Sequence, residues 1–221
     1  MEIALSPRLL ACSQLVRPGE RVADVGCDHG YLGIYLLKKN IASQVIASDI
    51  NPGPLSSAVR NSEKYGFTDR ITFHLSAGVV AIPRDFDVMI CAGMGADTMV
   101  SILEDAPWLA TGNYRMILQC QSKTHLLRKY LWAHGWDICE ERAVRDGRFV
   151  YTIMEVTRRS YTPDCEGTLY FSPALLRNRT PEVNEYCQHI IDGVQLSAAY
   201  NQESKALLSE LIKLLKQEES L

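Results

Sequence analysis

The sequence lacks the features of exported, membrane-spanning and disulfide-stabilised proteins. No apolar run reaches the roughly 18 residues that a membrane-spanning helix needs. The N-terminal segment MEIALSPRLL lacks the apolar core of a signal peptide, so we expect a cytoplasmic protein. The seven cysteines are odd in number and form no Cys-x-x-Cys pair, which favours reduced, buried thiols over disulfides or a zinc site. We therefore expect no metal and no contact with a membrane.

A strong charge of either sign is also absent. The formal net charge of −3 argues against a protein that coats nucleic acid by bulk charge alone. Residues 181–221 hold 3 Lys/Arg and 7 Asp/Glu, so residues 1–180 are close to neutral. The protein can still have a local basic surface, because one short stretch of the sequence is rich in arginine. Its members are Arg142, Arg145, Arg148, Arg158 and Arg159.

Up to Gly135, apolar β-type runs alternate with helical patterns. This alternation predicts a parallel sheet that helices cover on both faces. Asn51-Pro52 predicts a helix start, since asparagine favours the N-cap and proline the first helical position. The predicted strands are Arg21–Val25, Val45–Asp49, Ile71–Leu75, Phe86–Ala92 and Arg115–Gln119, and the predicted helices are Tyr31–Lys38, Pro52–Tyr65, Ala96–Glu104 and Lys123–His134.

After Gly135 two strand-like runs follow each other without an intervening helix. Trp136–Val144 and Phe149–Val156 are separated by a good hairpin turn, Arg145-Asp146-Gly147-Arg148, so the two strands must pair antiparallel. A parallel α/β sheet that ends in an antiparallel hairpin is typical of class I methyltransferases, whereas the common dinucleotide dehydrogenase sheet stays parallel. We therefore predict a Rossmann-like class I methyltransferase sheet.

The last third of the chain predicts a separate helical part. Thr180-Pro181-Glu182 resembles the cap of a long helical stretch, and a break near Asn201 would fold this stretch into an antiparallel helical hairpin or coiled coil. We predict a sheet domain over residues 1–160, and a linker with the helical hairpin over residues 161–221. Capping of the sheet domain, a dimer contact and an RNA contact all remain open as roles for the hairpin.

Residues 24–37, DVGCDHGYLGIYLL, predict a ligand-binding turn between a strand and a helix. The stretch fails as a dinucleotide loop, because Asp28 stands where a G-x-G-x-x-G motif has its second glycine. A carboxylate there would repel a phosphate and attract a cation, such as the sulfonium or α-ammonium of S-adenosylmethionine. No Gly-Lys-Ser/Thr follows, so the Walker A alternative fails too. A tight turn with a solvated aspartate remains the alternative interpretation.

Three further strand ends carry candidate contacts. Asp49 closes the second predicted strand, where a carboxylate can accept both hydroxyl groups of a ribose. The fourth strand runs into Ala92-Gly93-Met94-Gly95, whose glycines would leave backbone space for a ligand. The fifth ends in Gln119-Cys120-Gln121, and either glutamine amide could read the edge of a base.

At this point the sequence resembles the TrmK family, bacterial tRNA adenine-N1 methyltransferases that modify adenine 22. Residues 24–32 are similar to the family's DxGxDHxYL motif, and Ala92-Gly93-Met94-Gly95 matches its Ala-Gly-Met-Gly. Leu5–Leu9 resembles its Leu-Ser-Lys-Arg-Leu start, and Leu118-Gln119 the start of its Leu-Gln-Pro-Asn. Cys120-Gln121 replaces Pro-Asn, and Ser76 stands where the family usually shows Asn or Asp near the third strand end.

The resemblance implies an enzyme that transfers a methyl group from S-adenosylmethionine to N1 of adenine 22 in tRNA. Asp28 would stabilise the positive charge on the methylated base, with His29 orienting it and Met94 beside the reacting groups. We expect Arg8, Arg145, Arg148 and Gln119 to contact RNA, with Lys123 and Arg128 as further candidates. The expected cofactor contacts are Asp24, Gly26, Cys27, Asp28, Tyr31, Leu32, Asp49, Ile50, Ala77, Gly78, Ala92 and Gly93.

Other functions stay open at this stage. The same fold could methylate another RNA position, a small molecule or a protein. A non-catalytic module that binds S-adenosylmethionine or RNA is a second class, and a nucleotide-dependent oxidoreductase is a third. Asp28 and the terminal hairpin disfavour the oxidoreductase. We expect tRNA rather than DNA as the partner, and a monomer.

Overall fold

The structure, a computed structural model, describes residues 2–218. Met1 of the predicted sheet domain and residues 219–221 of the predicted helical part lie outside the described residues. The order of elements is α1 Pro7–Ser13, β1 Arg21–Val25, α2 Tyr31–Lys38, β2 Gln44–Asp49, α3 Pro52–Tyr65, β3 Ile71–Leu75, β4 Val88–Met94, α4 Ala96–Glu104, β5 Arg115–Cys120, α5 Thr124–Ala133, β6 Trp136–Asp146, β7 Phe149–Arg158, α6 Pro173–Leu176, α7 Pro181–Ala198 and α8 Gln202–Glu218, with short 3₁₀ helices at Pro107–Ala110 and Glu166–Leu169.

The strands form one seven-stranded sheet in the order β3-β2-β1-β4-β5-β7-β6. β1 to β5 pair parallel, and β7 pairs antiparallel with both β5 and β6. The predicted Rossmann-like methyltransferase sheet is therefore confirmed. A two-residue turn joins β6 to β7, and its Gly147 has φ +62°, as a tight hairpin turn requires.

Alternation along the strands divides the core into two layers. In β4, Met89 and Cys91 belong to the layer under α4 and α5, while Val88 and Ile90 belong to the layer under α1, α2 and α3. Successive side chains of a strand point to opposite faces, so a central strand buried on both faces is apolar throughout. This explains why β1, β4 and β5 appear in the sequence as continuous apolar runs.

The predicted helix starts at Pro52 and Pro181 are correct in position and differ in their capping, whereas α5 begins at Thr124 and not at the predicted Lys123. Asn51 occupies the N-cap of α3 with an extended backbone, but its side chain makes no capping hydrogen bond. Thr180 does cap α7, because its side chain accepts a hydrogen bond from the backbone N–H of Val183. The predicted helical hairpin is present, with its break between Ala198 and Gln202.

A buried ion pair connects the C-terminal helices to the sheet. Arg128 of α5 and Glu141 of β6 are both fully buried, with Nη2 and Oε1 2.6 Å apart. Arg128 Nη1 also donates to the carbonyl oxygens of Leu169 and Tyr170, and the Ser172 hydroxyl donates to Glu141. The segment before α7 is thus held by hydrogen bonds to two desolvated charges that neutralise each other. Arg128 is therefore unavailable to RNA, and its prediction as an RNA contact is wrong.

This pair generates a stability prediction. Arg128→Met leaves Glu141 buried and unpaired, so the free energy of unfolding should fall by about 3–5 kcal/mol in chemical denaturation. The double variant Arg128→Met/Glu141→Leu should recover part of this loss, because it removes both charges. Arg142→Met is the control, since Arg142 and Glu140 form an exposed pair that should contribute less than about 1 kcal/mol. Equal losses in the Arg128 and Arg142 variants would contradict this account.

Candidate active site

A cavity of about 760 Å³ opens at the carboxyl ends of the parallel strands. It lies where β1 and β4 are neighbours, the point at which the strand order reverses and where open α/β sheets bind their ligands. Every residue that the sequence predicted as a cofactor or catalytic contact lines this cavity, and so does Arg8. Their presence there makes the contacts geometrically possible, while each individual contact stays a prediction.

Gly26 starts the turn from β1 to α2. Its φ is +70°, and an added Cβ would lie 2.2 Å from Cε of Met94. The backbone N–H groups of Gly26 and Cys27 both donate to the Ser48 carbonyl, which ties the turn to β2. The left-handed backbone angle favours glycine here, and the Met94 methyl group packs against the space that its missing side chain leaves. The turn is therefore fixed against both neighbouring strands.

Asp24 ends β1 as a buried carboxylate on the cavity wall. Its Oδ2 atom has no hydrogen-bond partner among the described residues. Burial raises the pKa of the Asp24 carboxyl to about 7, aided by the charge of Asp49 and opposed by the backbone N–H of Gly33. A buried carboxylate that lacks a counter-charge is stabilised when a cation arrives.

Asp49 ends β2 and is held by two backbone groups. Its Oδ2 accepts from the N–H of Asp28 at 3.2 Å, and its Oδ1 accepts from the N–H of Asn51 at 2.8 Å. Each oxygen keeps a second lone pair for a ligand hydroxyl. The carboxylate is thus oriented at the cavity wall and connects the β1–α2 turn to the start of α3.

Asp28 and His29 form the outer rim of the same turn. Asp28 has a left-handed backbone with φ +50°, and its side chain is 70% exposed. His29 Nε2 lies 3.6 Å from the Asp28 carboxylate, while the His29 carbonyl accepts from the Asn61 side chain at 2.9 Å. A non-glycine residue in this conformation is uncommon and is concentrated at functional sites. The geometry presents a carboxylate and an imidazole to the cavity mouth.

A β-bulge at the end of β4 shapes the opposite wall. The pairing with β5 shifts register between Ala92 and Met94, and Gly93 takes φ +83° at the shift. The N–H of Gly93 donates to Oε1 of Gln119 at 3.0 Å. Gln119 is fully buried, and its Nε2 donates to the Cys120 carbonyl, so its predicted contact with an RNA base is wrong. Its amide positions the bulge instead.

The other predicted RNA contacts lie at the hairpin. Arg8 Nε is 3.3 Å from a carboxylate oxygen of Asp146, and its guanidinium lies 5.8 Å from the centre of the Tyr151 ring. Arg145 is paired with Glu185. Arg148 lies over Phe149, with 4.8 Å from the guanidinium carbon to the ring centre. Lys123 pairs with Asp97 at 2.8 Å.

Helix α4 and the residue after it supply lining residues that sequence reasoning missed, namely Asp97, Thr98, Ser101, Ile102 and Asp105. The signal was available, because α4 begins two residues after β4 and its first turns therefore face the carboxyl edge of the sheet. With Asp97 and Asp105, five aspartates line the cavity against one arginine, Arg8. The site thus favours a cationic ligand over one that carries phosphates.

The Gly26 geometry predicts the effect of one methyl group. Gly26→Ala should lower the free energy of unfolding by about 1–2 kcal/mol and weaken binding of S-adenosylhomocysteine, because alanine is strained at φ +70° and its methyl group would displace the Met94 side chain inside the cavity. Calorimetric titration and thermal unfolding measure both effects. Gly53→Ala is the matched control, since a Cβ there meets nothing within 4 Å. Wild-type affinity in Gly26→Ala would contradict the assigned position of the turn.

The raised pKa of Asp24 predicts a pH dependence of stability. The carboxyl binds a proton up to a pH of about 7 when folded, and up to about 4 when unfolded. Between these values the folded protein holds more protons, so raising the pH lowers its free energy of unfolding, by up to about 1.4 kcal/mol per pH unit. Denaturation of ligand-free wild type and Asp24→Asn should show their difference changing over this range. A difference that stays constant with pH would contradict the assignment.

Comparison with known proteins agrees with this geometry. A family model described as a methyltransferase domain matches residues 5–154. The tRNA (adenine(22)-N(1))-methyltransferase of Bacillus subtilis (strain 168) is 31% identical over 154 residues, which are 69% of this chain and 65% of that relative. This chain therefore spans less than two thirds of the length of the curated relatives that it matches.

Solved structures extend the likeness over nearly the whole chain. Sp1610 of Streptococcus pneumoniae, in complex with S-adenosyl-L-methionine, superposes with a TM-score of 0.86 at 27% identity, covering 94% of this chain and 98% of that chain. The Bacillus subtilis m1A22 tRNA methyltransferase TrmK gives 0.82 at 25% identity and covers 99% of both chains. The resemblance to the TrmK family is thereby confirmed, and the chain belongs to the methyltransferase domain family.

Proposed function

We propose that this protein methylates N1 of adenine 22 in tRNA, with S-adenosylmethionine as the methyl donor. The observation that supports this most is the Asp28-His29 rim over a cavity lined by five aspartates at the strand switch point. The donor set fits the cofactor, because a sulfonium and an α-ammonium are cations. The relatives add the substrate: one is a tRNA (adenine(22)-N(1))-methyltransferase, and Sp1610 binds S-adenosyl-L-methionine.

The lining residues divide naturally among the parts of the cofactor. Asp24 would face the α-ammonium, since its Oδ2 is buried without a partner. Asp49 would accept the ribose hydroxyls on its remaining lone pairs. Ile50 and the Ala77-Gly78 backbone would contact the adenine ring, while the Gly93 bulge leaves space beside the sulfonium. The hydroxyl of Ser76 accepts from the N–H of Ala81, so it serves the local turn first.

Bound S-adenosylmethionine supplies an electrophilic methyl group with a neutral thioether as leaving group. Adenine N1 carries a free lone pair, so no residue needs to remove a proton before attack. The protein's task is alignment, which can lower a barrier by about 7–11 kcal/mol. The Asp28 carboxylate would then stabilise the positive charge that develops on the base, and His29, 3.6 Å away, would orient that carboxylate.

The target base must leave its stack to reach this cavity. An N1 atom inside paired RNA is inaccessible, so the adenine has to be exposed or flipped. Arg8 lies at the cavity and Arg145 and Arg148 at the hairpin, where they would hold the flanking phosphates. Such contacts make affinity fall steeply with salt.

The organisation of the chain follows from this role. Residues 1–160 would form the catalytic domain and residues 161–221 a linker with the helical hairpin, in a cytoplasmic monomer that acts on tRNA rather than DNA. None of the described helices is both long enough and apolar enough to cross a membrane. Within residues 2–218, no cluster of three potential metal ligands occurs.

The direct test is incubation with unmodified bacterial tRNA and radiolabelled S-adenosylmethionine, followed by nucleoside analysis and mass-spectrometric mapping. We expect 1-methyladenosine at position 22. A methyl group at another RNA position would retain the enzyme class and overturn the substrate. Cofactor binding without any transfer to tRNA would favour a non-catalytic module or another methyl acceptor.

The rim carboxylate gives a second test. Asp28→Asn should lower kcat for tRNA methylation by more than tenfold, because the amide cannot offset the cationic base. The matched control is Asp69→Asn, which removes an exposed carboxylate in the turn between α3 and β3, outside the residues that line the cavity. Circular dichroism should show that both variants fold. Wild-type turnover in Asp28→Asn would remove Asp28 from the mechanism.

A further inference from the structure

A second groove, of about 940 Å³, lies beside the candidate active site. Its walls are the start of α5, the turn between β6 and β7, Tyr170 and the exposed side of α7. We call it the hairpin groove. The residues that matter here are Lys123, His125, Arg148, Phe149 and Tyr170.

The hairpin groove and the active-site cavity share a border. Gln121 lines both of them, and its backbone N–H donates to the Met94 carbonyl at the end of β4. A polymer with one residue in the cavity would therefore continue directly into the groove. A small free substrate would leave this second space unused.

The groove presents flat aromatic faces. The His125 and Tyr170 rings stack with centroids 4.6 Å apart and planes 10° from parallel. Burial, together with the charges of Arg128 and Lys123, lowers the pKa of His125 and so favours its neutral ring. Phe149 at the hairpin is 51% exposed. Exposure of its apolar ring to water is unfavourable, and a partner that covers the ring would remove this cost. Aromatic faces of this kind hold nucleobases by stacking.

One cation of the groove is available to an anionic partner. Glu185 is paired with Arg145, and the Asp192 carboxylate keeps its charge while it accepts from the Gln188 amide. Arg148 is paired with no carboxylate among the described side chains of residues 2–216, and its guanidinium lies over the Phe149 ring. With a cation beside an exposed ring, one site can bind a phosphate at the cation and stack a base on the ring.

We propose that the hairpin groove binds the unpaired nucleotides next to the methylated adenine. The bases would stack on Phe149 and on the His125–Tyr170 pair, and a backbone phosphate would contact Arg148. This inference rests on the proposed function, because it requires that an RNA base occupies the adjoining cavity. It adds a specific surface to that function, since single-stranded RNA is the polymer that carries both unstacked bases and phosphates.

Two variants test the groove on the full-length protein. Filter binding with an unmodified tRNA transcript should show Phe149→Ala weakening tRNA affinity roughly fivefold to hundredfold, the value of one base stack. Arg148→Gln should weaken affinity and reduce the slope of log K against log salt by about one, whereas Phe149→Ala should leave that slope unchanged. Binding of S-adenosylhomocysteine reports whether each variant is folded.

Matched controls lie elsewhere on the surface. Tyr200→Ala removes a 94% exposed aromatic residue at the turn between α7 and α8, and Arg60→Gln removes an exposed arginine on α3. Both should bind tRNA like wild type. The groove is overturned if Phe149→Ala and Arg148→Gln bind like wild type, or if Tyr200→Ala alone loses affinity. Wild type that binds tRNA through the groove without methylating it would instead overturn the proposed function.

Discussion

The buried carboxylate of Asp24 is the constraint on which the site depends. Folding removes it from water at the end of β1 and leaves Oδ2 without a partner, a cost expressed in its raised pKa. Asp28, Asp49 and Asp105 strengthen this demand for a cation, whereas Asp97 is already paired with Lys123 and Arg8 with Asp146. These carboxylates would repel a phosphate-bearing cofactor. A cofactor with an ammonium and a sulfonium would relieve the desolvation that the fold imposes.

Two buried polar contacts outside Asp24 fix the position of the cavity wall and of the neighbouring groove. The β4 bulge is fixed by the amide of Gln119, which explains why a buried polar side chain is tolerated in the centre of the sheet. The Arg128–Glu141 pair joins α5 and β6 to the segment before α7, so it also determines where the hairpin groove lies relative to the cavity. Both devices are buried polar contacts with every group satisfied, and such contacts specify one arrangement more than they add stability.

Much of the fold could be predicted from the sequence. Continuous apolar runs, the Asn51-Pro52 helix start and the Gly147 turn depend on local chemistry, and the structure has each of them. Prediction failed where tertiary contacts decide a polar residue's role. In the sequence, Gln119 and Arg128 resemble exposed residues that bind RNA. No neighbouring residue indicates that Gln119 will hydrogen-bond the β4 bulge or that Arg128 will pair with the buried Glu141. The cavity-lining residues of α4 were missed because the order of the strands in the sheet places this helix beside the cavity. No single segment of the sequence encodes that order.

The acidic lining of the cavity should select a cationic cofactor over a phosphate-bearing one. Isothermal titration of the wild-type protein with S-adenosylmethionine and, separately, with NAD measures this selectivity. We predict saturable binding of S-adenosylmethionine at micromolar concentrations and no measurable heat of binding for NAD. Comparable affinity for the two ligands, or a preference for NAD, would contradict the claim.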